Sequence, residues 1–547
     1  MRGRVVGLAL ALLVVACSPE TSSDPTSAGS ETGNGNETPV TGSPATAGGG
    51  EGDLTCWSAP TAGNAGPIRF EDRTEALSLV EPLLGLHGHA AAFGDVNEDG
   101  VPDLVVGTFG DREAEVYQER GSDGPAPDRL LISDPELTLD PEWSDELGRT
   151  SGAVFADFDN DRDDDLLLVR HAGRDGAFPV PTRLYENVDG ALIALSEPLP
   201  ADFRGRTPAV ADYDGDGLLD MYVSEDNSGE TGGLLLRNEG GLEFTDVTEG
   251  SGLEGVLALS AVAGDLNNDM IPDLATSTAV FVNRGDLQFE EVTPDDFGAV
   301  PIGEEDDAAG VALGDLNQDG FTDIVVGQHF RATVEFDSEV PVRVFLGRGG
   351  DAPEFEDVTD AAGVAALPTL APHVDIADID NDGWPDIVTS ASAEDGSSPA
   401  VYRNMGAADL SFEVPAGLGS DQYWVGAPVV DLDRDGRLDL FAVEWEPSLP
   451  STMFMNSGDT GHWLEVSIGQ PGTAIGAHVT VMSGEEVLGR QEIGVGGGYS
   501  SGKMPVAHFG LGQATVVDVS ITLQDGTTVE LSEIASDQHI RWPEGCA

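Results

Sequence analysis

Asp378-Ile-Asp-Asn-Asp-Gly-Trp-Pro-Asp386, running on into Ile-Val-Thr-Ser390, is one of seven versions of a nine-residue acidic loop in this 547-residue chain. Oxygen-bearing side chains recur at loop positions 1, 3, 5 and 9. In chain order they are Asp95, Asn97, Asp99 and Asp103; Asp157, Asp159, Asp161 and Asp165; Asp212, Asp214, Asp216 and Asp220; and Asp265, Asn267, Asp269 and Asp273. Then come Asp315, Asn317, Asp319 and Asp323; Asp378, Asp380, Asp382 and Asp386; and Asp431, Asp433, Asp435 and Asp439. Position 6 is Gly in five copies, whereas Arg162 and Met270 stand there in the second and fourth. Hard cations are held by cages of oxygen, and a short loop that turns sharply at a Gly wraps one. The expected ligand is Ca²⁺, up to seven ions, with the second and fourth loops weaker or purely structural.

An EF-hand shares the first three oxygen positions but ends in a bidentate Glu at position 12 and lies between helices. Position 12 is Val106, Val223, Val326, Thr389 or Ala442 in the five Gly-bearing copies, and the residues after each loop are apolar and often β-branched. Each loop therefore joins two strands of a hairpin. Asp, Asn and Gly also form ordinary turns, so any one copy reads equally as a solvated hairpin tip. Seven recurrences of the same four oxygen positions favour the ion.

Successive first Asp residues lie 62, 55, 53, 50, 63 and 53 residues apart. Periods of this size with several strands each predict propeller blades or a similar array. A second signature recurs as Leu184-Tyr-Glu-Asn187, Leu235-Leu-Arg-Asn238, Phe281-Val-Asn283, Val401-Tyr-Arg-Asn404 and Phe454-Met-Asn456. A third recurs as Phe244-Thr-Asp-Val-Thr248, Phe289-Glu-Glu-Val-Thr293 and Phe355-Glu-Asp-Val-Thr359. Phe70-Glu-Asp-Arg-Thr74 carries that third signature ahead of the first loop, which predicts an N-terminal strand completing the last blade and closing the ring. The expectation is an all-β chain with a seven-bladed β-propeller over residues 56–460.

These repeats resemble the FG-GAP/VCBS blades of integrin α-chain propellers and many bacterial surface proteins, over roughly residues 66–460, with Phe93-Gly94 and Gly426-Ala-Pro428 keeping the letters of the name. The resemblance implies loops that bind Ca²⁺ to brace blades. Residues 461–547 lose the period and predict a small antiparallel β domain. Trp463-Leu464, Ala474-Ile-Gly-Ala477, Gly496-Gly-Gly-Tyr-Ser500 and His508-Phe-Gly-Leu-Gly512 resemble the ASPIC/UnbV domain, although Ser501-Gly-Lys503 departs from its usual pattern after the Tyr. Gly498-Tyr-Ser-Ser-Gly502 matches a nucleophile elbow, with His508 and Asp518 downstream, but that elbow belongs to a strand-to-helix turn with the acid before the His. No catalytic residue is expected there.

Arg2 and Arg4, an apolar run from Val5 to Ala16 and Val14-Val-Ala-Cys17 read as a lipoprotein signal peptide, residues 1–16, with Cys17 as the lipidated residue. Residues 17–55 read as a disordered tether, reaching roughly 30–35 Å. An exported chain admits disulfides, and Cys56 and Cys546 are the expected pair. The net charge is −74, and the loops supply only 25 of the 99 acidic residues, so most of the acidity is unrelated to them. Such a charge argues against nucleic acid as a partner. Three functions stay open: a lipid-anchored, envelope-facing monomer that binds a protein or glycan in ligand recognition or adhesion; an enzyme working on carbohydrate or phosphoester in the channel; and a purely structural envelope protein.

Overall fold

Each acidic loop closes an antiparallel hairpin in the computed structural model: Gly94 pairs with Asp103 across the first, Ala211 with Asp220 across the third and Ala377 with Asp386 across the sixth. The structure describes residues 54–543 and 545, apart from 62, 135, 144, 173–179, 201, 227–230, 295–296, 298–305, 331–341, 365–372, 393–398, 407–409, 414–422 and 470–472. The expected signal peptide, Cys17 and nearly all of the tether lie outside the described residues, as does Cys546. No helix among the described residues is long and apolar enough to cross a membrane.

The fold is all-β, and the described residues hold two short helices, Val80–Leu83 and Ala114–Glu119. Every hairpin extends into a sheet of four strands from the repeats, and seven such sheets follow one another along the chain; the first gains two more strands from residues 496–502. Their first strands are Gly88–Gly94, Thr150–Ala156, Gly205–Ala211, Ala261–Gly264, Asp306–Gly314, Val374–Ala377 and Val429–Val430. The seventh sheet takes its fourth strand from the beginning of the chain: Phe70–Asp72 pairs antiparallel with Thr452–Asn456. The N-terminal strand anticipated from the third signature is therefore present and lies on the last repeat.

The sheets share their cores in pairs. Val105, Leu130, Phe155 and Leu168 join the first to the second, and Ala312, Val325, Ile387 and Tyr402 join the fifth to the sixth. Phe93, Leu104, Phe441 and Met453 join the first to the seventh. Both faces of a sheet are thus covered, which explains strands such as Gly88–Gly94 and Thr150–Ala156 in which every residue is buried. Close approach demands small side chains on the first strands: a Cβ at Gly94 would sit 2.4 Å from the Phe155 ring, and one at Gly314 would sit 2.9 Å from Ile376. Burying one Phe or Leu side chain in such a core contributes roughly 1.5–3 kcal/mol.

The C-terminal part forms two further sheets around its own core of Leu464, Val466, Val479, Phe509, Val519 and Ile521. One sheet is antiparallel. The other is mixed, contrary to the antiparallel domain expected, because His462–Ile468 runs parallel to Gln538–Trp542. A parallel pair requires a long crossover, and the whole second sheet lies within that connection. Thr55–Ser58, whose first residue was expected in the tether and the rest with the repeats, pairs with Gln538–Trp542 in this mixed sheet. Its Cys56 is disulfide-bonded.

The Gly-rich turn at 496–502 leaves the C-terminal domain and enters the repeats. Gly496–Gly497 and Ser501–Gly502 form a short hairpin, whose second strand lies parallel to Gly88–Gly94. The segment touches the first strand, or the residues leading into it, in all seven sheets. Ala91 N–H donates to Ser500 O, and Gly502 packs on Ala153. The Ser500 N–H donates to Thr207 Oγ1 at 3.3 Å, Ser260 Oγ donates to Gly498 O, and Val311 and Gly498 exchange backbone hydrogen bonds. Tyr499 N–H donates to His373 Nδ1 at 3.2 Å, and Gly426 abuts Ser501. Ser500, the elbow candidate, is fully buried with φ +57° in this hairpin turn. His508 is bound to Glu465 and Asn381, and Asp518 accepts from the Glu533 N–H, so these residues form no triad.

A Cβ at Gly502 would sit 2.8 Å from Ala153 O and 2.9 Å from Ala92 Cβ. Gly502→Val is expected to destabilise the protein by about 1–3 kcal/mol through overpacking. Limited proteolysis should then release the C-terminal domain earlier than in the wild type.

Candidate metal centres and the contacts between repeats

The seven loops share one hydrogen-bond pattern. At position 1, one carboxylate oxygen accepts from the N–H of position 5 and the other from the N–H of position 6, at 2.7–3.1 Å in every copy. At position 9, one oxygen accepts from the N–H of position 2, again at 2.8–3.1 Å in all seven. The other accepts from an N–H at the end of the third strand, at Ser133, Asn187, Asn238, Asn283, Gly347, Asn404 and Asn456. Position 9 therefore ties loop, second strand and third strand together.

This wrapping needs left-handed backbone at position 4, held by Glu98, Asn160, Gly215, Asn268, Gln318, Asn381 and Arg434, and again at position 6. Gly supplies the second in five loops. Arg162 at φ +90° and Met270 at φ +68° adopt it without that freedom, so the second and fourth loops keep the common shape under strain.

The loops gather carboxylates. Asp157, Asp159 and Asp161; Asp212, Asp214 and Asp220; Asp378, Asp380 and Asp386; and Asp431, Asp433 and Asp439 each place three carboxylate oxygens within 4.8 Å of one another. In the first, fourth and fifth loops Asn97, Asn267 and Asn317 donate their amides to Asp99, Asp269 and Asp319, so there the third position faces the fifth as a dipole. All seven position 9 residues are at most 1% exposed. Burial pushes their carboxyls up against the opposing backbone N–H bonds: Asp103 to about 7, and Asp165, Asp220, Asp273 and Asp323 to about 8. Asp386 and Asp439 are raised well above the ordinary range for the same reason. At position 1, burial raises Asp95, Asp157 and Asp315 to about 6. The buried oxygens Asp159 Oδ1 and Asp380 Oδ1 have no hydrogen-bond partner among the described residues. Clustered, desolvated oxygens lacking donors suit a hard cation. Arg403 meets Asp380 at 2.5 Å and Asp382 at 3.0 Å, and Arg437 meets Asp435, so the sixth and seventh loops carry arginine beside their four acids.

Two sets of contacts between repeats lie outside what the sequence reading assigned. The Asn closing the second signature donates its side-chain amide to the position 2 carbonyl of the preceding loop: Asn187 to Val96, Asn238 to Phe158, Asn283 to Tyr213, Asn404 to Leu316 and Asn456 to Ile379, at 2.8–2.9 Å. The recurrence of that Asn was the available signal. At position 4, Asn160, Asn268, Gln318 and Asn381 donate to the position 6 carbonyl of the following loop. Arg434 of the seventh loop likewise donates to Asp99 O of the first, at 2.9 Å. The C-terminal domain presses on the same loops, with Glu492 accepting from the Asp265 N–H at 2.7 Å and His508 meeting Asn381 at 2.8 Å.

Asn238→Ala is expected to destabilise the protein by about 1–3 kcal/mol, because the buried Phe158 and Leu219 carbonyls lose their donor. Met270→Gly should act in the opposite direction, raising stability by about 1 kcal/mol through relief of left-handed strain. Denaturant unfolding of both variants measures these changes.

Comparison with known proteins agrees with this layout. The family description FG-GAP-like repeat matches residues 157–223, 212–276, 275–326 and 378–442, and the description ASPIC and UnbV matches residues 469–546. Cartilage acidic protein 1 of Homo sapiens is 26% identical over 488 residues, covering 81% of this chain and 69% of that protein. The Xenopus tropicalis protein of the same name is 26% identical over 449 residues, covering 73% and 65%. Among solved structures, the extracellular domain of a putative hybrid two component system from B. thetaiotaomicron has 10% identity and a TM-score of 0.40, covering 71% of this chain and 40% of that one. The V. cholerae biofilm matrix protein Bap1 has 14% identity and a TM-score of 0.29, covering 85% and 62%. The chain carries FG-GAP-like repeats followed by an ASPIC and UnbV domain, and it is similar over most of its length to cartilage acidic protein 1.

Proposed function

We propose that the protein is a calcium-braced, exported binding scaffold. Its seven sheets are the blades of a closed propeller, up to seven Ca²⁺ ions sit in the acidic loops, and a ligand is recognised on the blades' exposed loops. One observation carries the reading: the same wrapped loop, with a buried acid at position 9, recurs in every repeat. Ca²⁺ would be held by the oxygens at positions 1, 3, 5 and 9, and its charge would offset the mutual repulsion of the acids. The pairing of Phe70–Asp72 with the last repeat supports closure, as does the core shared by the first and seventh sheets. The 496–502 hairpin lies against the first strand, or the residues leading into it, in all seven sheets; it would so fill the middle of such a ring, leaving its faces for the ligand. A lipid on Cys17 and a Cys56–Cys546 disulfide complete the proposal. That disulfide would hold Thr55–Ser58 beside Gln538–Trp542, already its neighbour in the mixed sheet.

Chelation should lower the melting temperature. An ion bound only by the folded state stabilises it by about 2.7 kcal/mol per site at a hundred times its Kd. Elemental analysis of the purified protein showing no retained calcium, together with an unchanged melting curve in chelator, would falsify the calcium assignment.

The effect should also depend on pH. Without an ion, carboxyls raised to about 7–8 in the folded state cost stability as pH rises from about 4 through 8, because the unfolded chain loses these protons near pH 3.9. A bound cation holds the same groups ionised. The gap in melting temperature between calcium-loaded and chelated protein should therefore widen from pH 5.5 to pH 8. A gap that narrows over this range contradicts the assignment of these acids as ligands.

A further inference from the structure

At the strand ends remote from the acidic loops, a second group of polar side chains is packed among aromatic rings. The His89 ring stacks on Phe109 at 4.2 Å with 10° between planes, and Trp445 meets Phe109 edge-on at 5.4 Å. Arg149 lies 5.2 Å from the Phe109 centroid, and Arg112 lies 5.2 Å from that of Trp445 and 6.0 Å from that of Phe109. Arg206 Nη1 lies 3.5 Å from His89 Nε2, as does the hydroxyl of Tyr499 from the inserted hairpin. Phe109, His89 and Trp445 thus form one aromatic cluster, with His87 4.0 Å from the Trp445 ring and three guanidinium groups at its margins.

The charge of this group runs against that of the chain. Acidic residues outnumber basic ones 99 to 25 overall, yet Arg112, Arg120, Arg149 and Arg206 here face three paired carboxylates: Glu446 on Arg120, Asp111 on Arg149 and Asp226 on Arg206. Arg112 has no ion-pair partner among the described residues. The histidines do not add to the positive charge: burial, followed by the nearby arginines, pushes His87 down to about 3 and His171 to about 4. Neutral imidazoles keep a lone pair or an N–H for a ligand. Three buried polar atoms, His89 Nδ1, His171 Nδ1 and Arg206 Nε, lack any hydrogen-bond partner among the described residues, and such atoms are costly to leave unsatisfied.

We propose that this group binds an acidic sugar, a uronate whose ring lies on the half-buried Trp445 and whose carboxylate meets the arginines. Guanidinium groups bind a carboxylate through paired, charge-assisted hydrogen bonds. A largely aromatic wall with a few placed polar groups is the usual composition of a small-ligand site. The assignment rests on the reading of the repeats as a binding scaffold and names the ligand class of one of its faces.

The test is calorimetric titration of the full-length, calcium-loaded protein with digalacturonate and trigalacturonate, with cellobiose as a neutral sugar and inorganic phosphate as a ringless anion. The uronates should bind, and cellobiose should bind roughly tenfold more weakly or not at all, since only the uronates offer the arginines a carboxylate. Arg112→Gln should weaken uronate binding by a similar factor without moving the melting temperature in calcium; Arg149→Gln should weaken it as well but lower the melting temperature, because the nearly buried Asp111 loses its partner. Absence of uronate binding, phosphate binding in its place, or equal uronate affinity in the wild type and both variants overturns the proposal. Melting the same preparation with and without chelator separates the two readings. A chelator shift without uronate binding overturns this site and leaves calcium standing; uronate binding without a chelator shift does the reverse.

Discussion

The carboxylate at loop position 9 is the contact on which the rest of the repeat depends. It is buried in all seven copies, and its two oxygens accept from two backbone N–H groups that sequence places far apart. One belongs to the loop that precedes it, and the other to the third strand of its sheet. In the fourth repeat these are Leu266 and Asn283, both held by Asp273. Without that acid, the loop loses its anchor and the third strand loses its register against the second. A buried carboxylate is costly when unpaired, so the device demands donors, and each repeat provides them from its own backbone.

The same contacts extend sideways. The Asn that donates its backbone N–H to position 9 also spends its side-chain amide on the preceding loop, so a single residue closes one repeat and clips it to another. Asn238 does this for Asp220 and Phe158. Position 4 adds a reciprocal contact to the following loop. Hydrophobic cores are shared between the sheets, and these polar contacts join one loop to the next. The C-terminal domain joins on the same surface and sends its Gly-rich hairpin to the first strands. Gly suits that segment physically: at 498 and 502 any side chain would collide with His373, Val374, Ala92 or Ala153.

Much of the repeat was legible before any coordinates. Seven hairpins, their loop positions, the strand count and the use of Phe70–Asp72 in the last repeat all follow from local patterns repeated in register. Repetition makes such reading reliable, because a pattern that is ambiguous once is constrained when it recurs at a fixed offset. The Asn of the second signature was visible as a recurrence, but its partner lies roughly 70–90 residues away, and nothing in the local sequence points there. The mixed sheet of the C-terminal domain was misread as antiparallel, since alternation of apolar and polar residues reports burial and carries no information on strand direction.

By itself, then, the sequence determined the seven hairpins, where the acids of each loop stand and where five of the loops turn at glycine, because these depend on neighbours along the chain. Only the tertiary structure decided that Gly496-Gly-Gly-Tyr-Ser500 lies among the first strands of seven sheets, that Thr55–Ser58 belongs with the end of the chain, and that His89, Phe109, Arg206 and Trp445 lie together. Those assignments join segments separated by up to about 480 residues. They rest on shape, burial and unpaired polar atoms in three dimensions, and no spacing in the chain encodes them.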